Sequence, residues 1–169
     1  MLQAIGSKKD LALLPFYGII SDLLTLAEVQ KLQEFRHHKR TTRFQHSLNV
    51  SYYNYLLCRR FGLDAEAGAR AGMLHDLFFY NRKEYVRVSG EAFHNARHPR
   101  MACDAADHLC ELSAVERDMI LKHMWPVTIT KLPRYRESLV IVLVDKFCAI
   151  LEISSPLLKR VFPKKAFCG

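Results

Sequence analysis

The chain has 169 residues and a mass of 19.6 kDa, the size of one domain, and half of its residues are apolar. A chain of that length buries about two-thirds of its unfolded surface, so its core needs no covalent staple. A quarter of the residues are charged, with seven Gly and six Pro, which excludes disordered, collagen-like and low-complexity readings. Lys and Arg exceed Asp and Glu by eight, and such a surplus attracts partners that carry phosphate.

The N-terminal apolar run, Leu11 to Ile20, has ten residues and contains Pro15, too short to span a bilayer. Lys8 and Lys9 precede it, but Asp10 intervenes and no small-x-small cleavage site follows. The expectation is a cytoplasmic protein with no membrane partner. Five cysteines (58, 103, 110, 148 and 168) form no C-x-x-C pair, and three lie in apolar segments, which fits buried free thiols in a reducing compartment.

Leu23, Leu24, Val29 and Leu32 predict an N-terminal helical extension over 1–42, with Thr25-Leu-Ala-Glu28 as a capping box. The basic run His37, His38, Lys39, Arg40 reads as a solvated loop rather than a nucleic-acid patch. A helix is predicted from about Thr42 to Phe61, stopped by Gly62, and another from about Asp64 to Tyr80. Ala65, Gly68, Ala69 and Gly72 give the second a tightly packed small-residue face. A looser segment reaches Arg97, and Pro99 opens a helix ending near Glu111. Ser113-Ala-Val-Glu116 is a second capping box, and its helix stops before Pro126. The last helix spans about 136–152. Its Val140–Val144 stretch is β-branched enough for a strand, but the segment's length favours helix. Residues 153–169, with Lys164 and Lys165, read as a tail. The fold class is all-α, a single helical bundle of about six or more helices.

Ionisable residues on apolar faces carry the functional signal, because buried charge is rare unless paired or bound to metal. His75 and Asp76 extend the small-residue stripe into Leu77–Tyr80. Asp145 and Lys146 are the sole interruptions of the apolar stretch Leu139–Leu151. His46 shares a face with Val50, Tyr53 and Leu57, His98 with Ala102, Ala105 and Leu109, and His123 with Met119 and Ile120. Each histidine alone fits a hydrogen-bonded core position. Together the six residues, without thiolates, suit divalent Fe, Mn, Ni, Co, Mg or Zn at a site that is not a structural zinc centre. His108 shares a polar face with Asp104 and Glu111 and reads as solvated. His94 reads as a substrate contact, and Asn49, one turn after His46, as a support for it.

The pattern His46, then His75-Asp76 within Gly-Met-Leu-His-Asp-Leu, then Asp145, at gaps of 29 and 69 residues, resembles the HD-domain superfamily of metal-dependent phosphohydrolases. The resemblance covers about 43–152 and implies an all-helical core in which His46, His75, Asp76 and Asp145 hold one metal. His98 and His123 resemble the further ligands of the dinuclear branch, which includes cyclic-dinucleotide phosphodiesterases, with Asp76 bridging to a second ion. Phe79 stands where the HD-GYP group has lysine, and no Gly-Tyr-Pro follows His123, so cyclic di-GMP is not the expected substrate. The implied activity is hydrolysis of a phosphate ester of a nucleotide-like substrate by a metal-activated water. Lys146 leads the groups placed to hold the phosphate, with Arg97, Arg100, Lys122, Arg43 and His94, and Tyr52, Tyr80 and Trp125 could stack on a base. The alternatives are a mononuclear nucleotidase and a non-catalytic domain binding metal, nucleotide or nucleic acid. The sequence fixes no oligomeric state.

Overall fold

The computed structural model describes residues 1–37, 41–81 and 94–161. The described residues form seven α-helices, one short 3-10 turn at Leu11–Leu13 and no strand, so the all-α expectation holds. The helices are α1 (Pro15–Thr25), α2 (Ala27–Lys31), α3 (Arg43–Arg60), α4 (Ala65–Leu74), α5 (His94–Asp107), α6 (Ala114–Lys122) and α7 (Arg136–Val161).

Local chemistry sets most of the starts. Pro15 opens α1 at a position where its missing N–H costs nothing. Thr42 caps α3 by accepting from the Gln45 amide, and Asp64 caps α4 by accepting from Ala67. Ser113 and Glu116 form the reciprocal capping box at α6. The box expected at Thr25 does not form. Thr25 ends α1, its hydroxyl donates back to the Asp22 carbonyl at 2.7 Å, and an extended Leu26 separates α1 from α2.

Helices α3 and α4 make the closest pair, and α7 lies against α3 and α6. A Cβ at Gly72 would stand 2.6 Å from the Ser51 Cα, and Ser51 donates its hydroxyl to the Ala69 carbonyl at 2.6 Å. The small-residue stripe thus lets two backbones touch. Phe16, Ile20, Leu23, Val29 and Leu32 are fully buried in the same core as Leu48, Met73, Met119 and Ile141. The N-terminal helices therefore build the core rather than extend it.

Three expected boundaries shift. Helix α4 ends at Leu74, about one and a half turns short of Tyr80, and the chain leaves it through tighter local bonds, Leu77 N to the Leu74 carbonyl and Phe78 N to that of Asp76. The buried guanidinium of Arg43 on α3 donates to the carbonyls of Phe78 and Tyr80 and lies 3.6 Å over the Phe78 ring. Helix α5 begins at His94, so Pro99 lies in its interior rather than at its first position, and the carbonyl of Asn95 loses a helical donor. It also ends at Asp107, ahead of Glu111. Helix α7 continues to Val161, so 153–161 is helical, and Lys164, Lys165 and Cys168 lie outside the described residues. His38, Lys39 and Arg40 lie outside them too.

Candidate metal centre

The six residues expected as ligands come from five places. His46 lies in the first turn of α3, His75 and Asp76 just past the end of α4, His98 within α5, His123 just past the end of α6, and Asp145 in α7. All but Asp145 are buried, and its side chain is only 16% exposed. They converge. His46, His75 and Asp145 offer three ligand atoms within 4.8 Å of one another, as do His75, Asp76 and His123. His98 joins through its Nε2, 3.5 Å from Asp76 Oδ1 and 2.9 Å from the Nε2 of His123.

The four rings are oriented alike. His75 Nδ1 donates to the Gly72 carbonyl, His123 Nδ1 to Ile120 and His98 Nδ1 to His94, at 2.9, 2.7 and 2.9 Å. These carbonyls belong to each ring's own helix, three or four residues back. His46 Nδ1 instead meets the Glu152 carboxylate at 3.0 Å. With Nδ1 committed, each ring turns Nε2 to the carboxylates of Asp76 and Asp145. The two oxygens of Asp76 divide: Oδ1 faces His98 and His123, while Oδ2 faces His75 at 3.9 Å and His37 at 3.6 Å.

Two features of this array fit a divalent cation. His75 Nε2 is buried with no hydrogen-bond partner. The Nε2 atoms of His98 and His123, both lone-pair atoms once Nδ1 holds the proton, face each other at 2.9 Å, which needs a proton or a cation between them. A proton is disfavoured. Burial lowers the pKa of His98, and burial with the neighbouring His98 and His75 lowers that of His123 to about 3. Donors bound to one ion at about 2.1 Å stand about 3–3.5 Å apart, close to the spacings here.

The other end is charged. Burial opposes a charge on His46, but hydrogen bonds to Asp145 and Glu152 outweigh it and raise its pKa to about 10. The ring is held as an imidazolium, and its Nε2 proton, 3.0 Å from Asp145 Oδ1, occupies the direction of a bound ion. Against the effect of burial, His46 and His75 hold Asp145 well below the usual carboxylate range. His75, His98, His37 and His123 do the same for Asp76.

A cavity of about 180 Å³ opens over the cluster, and Arg36, His37, Arg43, His94 and Asn95 contribute to its lining. Of the groups expected to hold phosphate, Arg43 and His94 line it. Arg43 is tied to the Phe78 and Tyr80 carbonyls, and His94 is hydrogen-bonded to the Tyr80 hydroxyl at 2.8 Å and stacked on His98. Lys146 reaches the carbonyls of His123 and Val142, Lys122 that of Leu132, and Arg100 pairs with Asp104 on the exposed face of α5. Arg97 is half-buried on α5. Tyr52 packs edge-on to Phe16 inside the core, away from any base.

Sequence reasoning missed Arg36, His37, Asn95 and Glu152. His37, read as part of a solvated loop, stacks on His46 with ring centroids 3.8 Å apart. Its segment is turned inward by paired backbone, His37 N donating to Thr41 and Arg43 N to Phe35, which no local pattern announces. Glu152 carries a signal of its own: it lies seven residues after Asp145 on the same helix, hence on the same face.

Compared with protein-family models, with curated proteins and with solved structures, the chain matches none.

Proposed function

We propose that the chain is a metal-dependent phosphohydrolase of the HD type, acting on the phosphate ester of a nucleotide-like small molecule. One observation carries the reading. Four histidines on four helical segments spend Nδ1 within the protein and aim Nε2 at two carboxylates, Asp76 and Asp145, in the chain order of the ligands they resemble. Two ions bound there would lower the pKa of a water and take up charge on phosphoryl oxygens.

The protein's own groups supply the rest. Asp76, with one oxygen toward each end of the cluster, suits the bridging role, and the net charge of +8 favours an anionic substrate. Arg36 and Arg43 bring positive charge to the cavity lining, and His94 beside His98 offers a polar contact. The cavity's volume suits a phosphate group, with the remainder of the substrate lying outside it.

The test is metal content and turnover on the same preparation. Protein purified without chelator and reloaded with Mn or Fe(II) should hold about two ions per chain and cleave bis-p-nitrophenyl phosphate, and a nucleotide panel then identifies the substrate. One ion under saturating metal, with turnover, supports the mononuclear nucleotidase. Bound metal without turnover on any phosphate ester supports the binding domain. A protein that binds neither Mn nor Fe(II) removes the reading altogether.

A further inference from the structure

Glu152 lies in α7, two turns beyond Asp145, and its side chain is fully buried. Oε1 accepts from His46 Nδ1 at 3.0 Å and from Asn49 Nδ2 at 2.8 Å, while Oε2 is buried without a partner. A carboxylate withdrawn from water costs several kcal/mol unless something compensates it, and here the compensation is the His46 ring. The Asn49 amide is fixed in turn: its Oδ1 accepts from the Ile5 amide and from Gln45 Nε2, both at 2.9 Å, so Nδ2 must face Glu152.

His46 thus differs from the other three histidines. Their Nδ1 protons go to neutral carbonyls, whereas that of His46 goes to a carboxylate. A carboxylate on the far nitrogen fixes the ring's direction and makes Nε2 a more basic donor. We propose that Glu152 is a positioning residue that sets His46 with Nε2 toward the cluster and raises its strength as a metal donor, with Asn49 holding the carboxylate in place. The proposal rests on the reading of His46 as a ligand. It also extends the site to the N-terminal segment, because Ile5 and Gln45 hold the amide that holds Glu152.

The test is titration of chelator-stripped protein with Mn(II), followed by electron paramagnetic resonance, with circular dichroism and melting as measures of fold. Glu152→Gln keeps the shape and removes the charge, and it should weaken one class of Mn(II) site by about 10–100-fold while the helical signal persists. Asp22→Ala is the control. It removes the ion pair that ties α1 to Arg70 of α4, away from the cluster, so it should lower the melting temperature and leave Mn(II) affinity unchanged. Asn49→Ala, which leaves the Glu152 charge but frees it to move, should weaken the same site several-fold and decides the matter if Glu152→Gln does not fold. Wild-type affinity in Glu152→Gln, or in Asn49→Ala where that variant decides, overturns the positioning role while the metal site stands. A wild-type protein that binds no Mn(II) overturns both.

Discussion

At one end of the ligand cluster His46 lies between the carboxylates of Asp145 and Glu152. At the other, His98 and His123 face each other with carbonyls behind them. The first end is an ion pair whose charges already compensate one another, with the pKa of His46 raised to about 10. The second is a pair of neutral rings whose lone pairs converge, with the pKa of His123 lowered to about 3. The same side chain is thus tuned in opposite directions within one small cavity. A metal at the His46 end would replace a proton, while at the His98 end it would separate two lone pairs. Asp76 and His75 lie between the ends and serve both.

The largest effect that sharpens this contrast comes from the acidic end. Asp145→Ala should release the ion held with His46 and lower turnover by about a thousandfold, the scale lost when a main electrostatic stabiliser of the transition state is removed. His98→Ala or His123→Ala should cut metal content from about two ions to about one. Elemental analysis of the three variants against wild type checks the division: each should keep about one ion, and loss of both ions from every variant would erase it.

Next in size is the stability of the chelator-stripped protein. His46→Ala leaves Asp145 and Glu152 without their cation and should cost about 3–5 kcal/mol, as for other broken buried ion pairs. His98→Ala loses a buried ring and its bond to the His94 carbonyl but relieves the opposed lone pairs, so the net cost should be only about 1–2 kcal/mol. Urea unfolding of both stripped variants reads the difference, and similar losses would show that the two ends are electrostatically alike.

The shared middle comes third. Gly72→Ala puts a methyl against the Ser51 backbone beneath the carbonyl that holds His75, and should cost about 1–3 kcal/mol and disturb metal binding at both ends. Thermal melting with and without Mn(II) would detect it. The smallest effect belongs to Lys146→Met. Its ammonium rests on the carbonyls of His123 and Val142, so metal content should stay at wild-type level and stability should fall by less than about 1 kcal/mol. A severalfold rise in KM would instead assign Lys146 to the substrate.

How much of this was legible in the sequence follows from the range of each interaction. Helix starts set by side chains two or three residues away, such as Asp64 and the Ser113–Glu116 box, could be read directly. The path after α4 could not, because the Phe78 and Tyr80 carbonyls are held by Arg43, more than thirty residues earlier. Periodicity put each candidate ligand on a helix face, and five of the six are indeed buried. The apolar stretch was an incomplete reason for Asp145 to face inward, since Leu139, Leu143, Phe147 and Ile150 of that stretch are themselves exposed. Its inward direction comes from helix geometry, as Ile141, Val144 and Cys148 show. His37 stayed hidden because a basic run in a loop has no period, and only backbone pairing around Arg36 and Thr42 turns it to the site.

The carbonyls behind His75 and His123 belong to the final turns of α4 and α6, the parts of a helix that open first. For those two rings, fraying and loss of aim are one event: a turn that opens for a microsecond also swings its imidazole out of register. Because residues 73–78 and Met119, Ile120 and His123 are buried, those end turns share the protection of the core, unlike exposed helix ends. The bonds that tighten these ends, Leu77 to Leu74 and Trp125 to Lys122, act as latches on the timing of the site as much as on its shape.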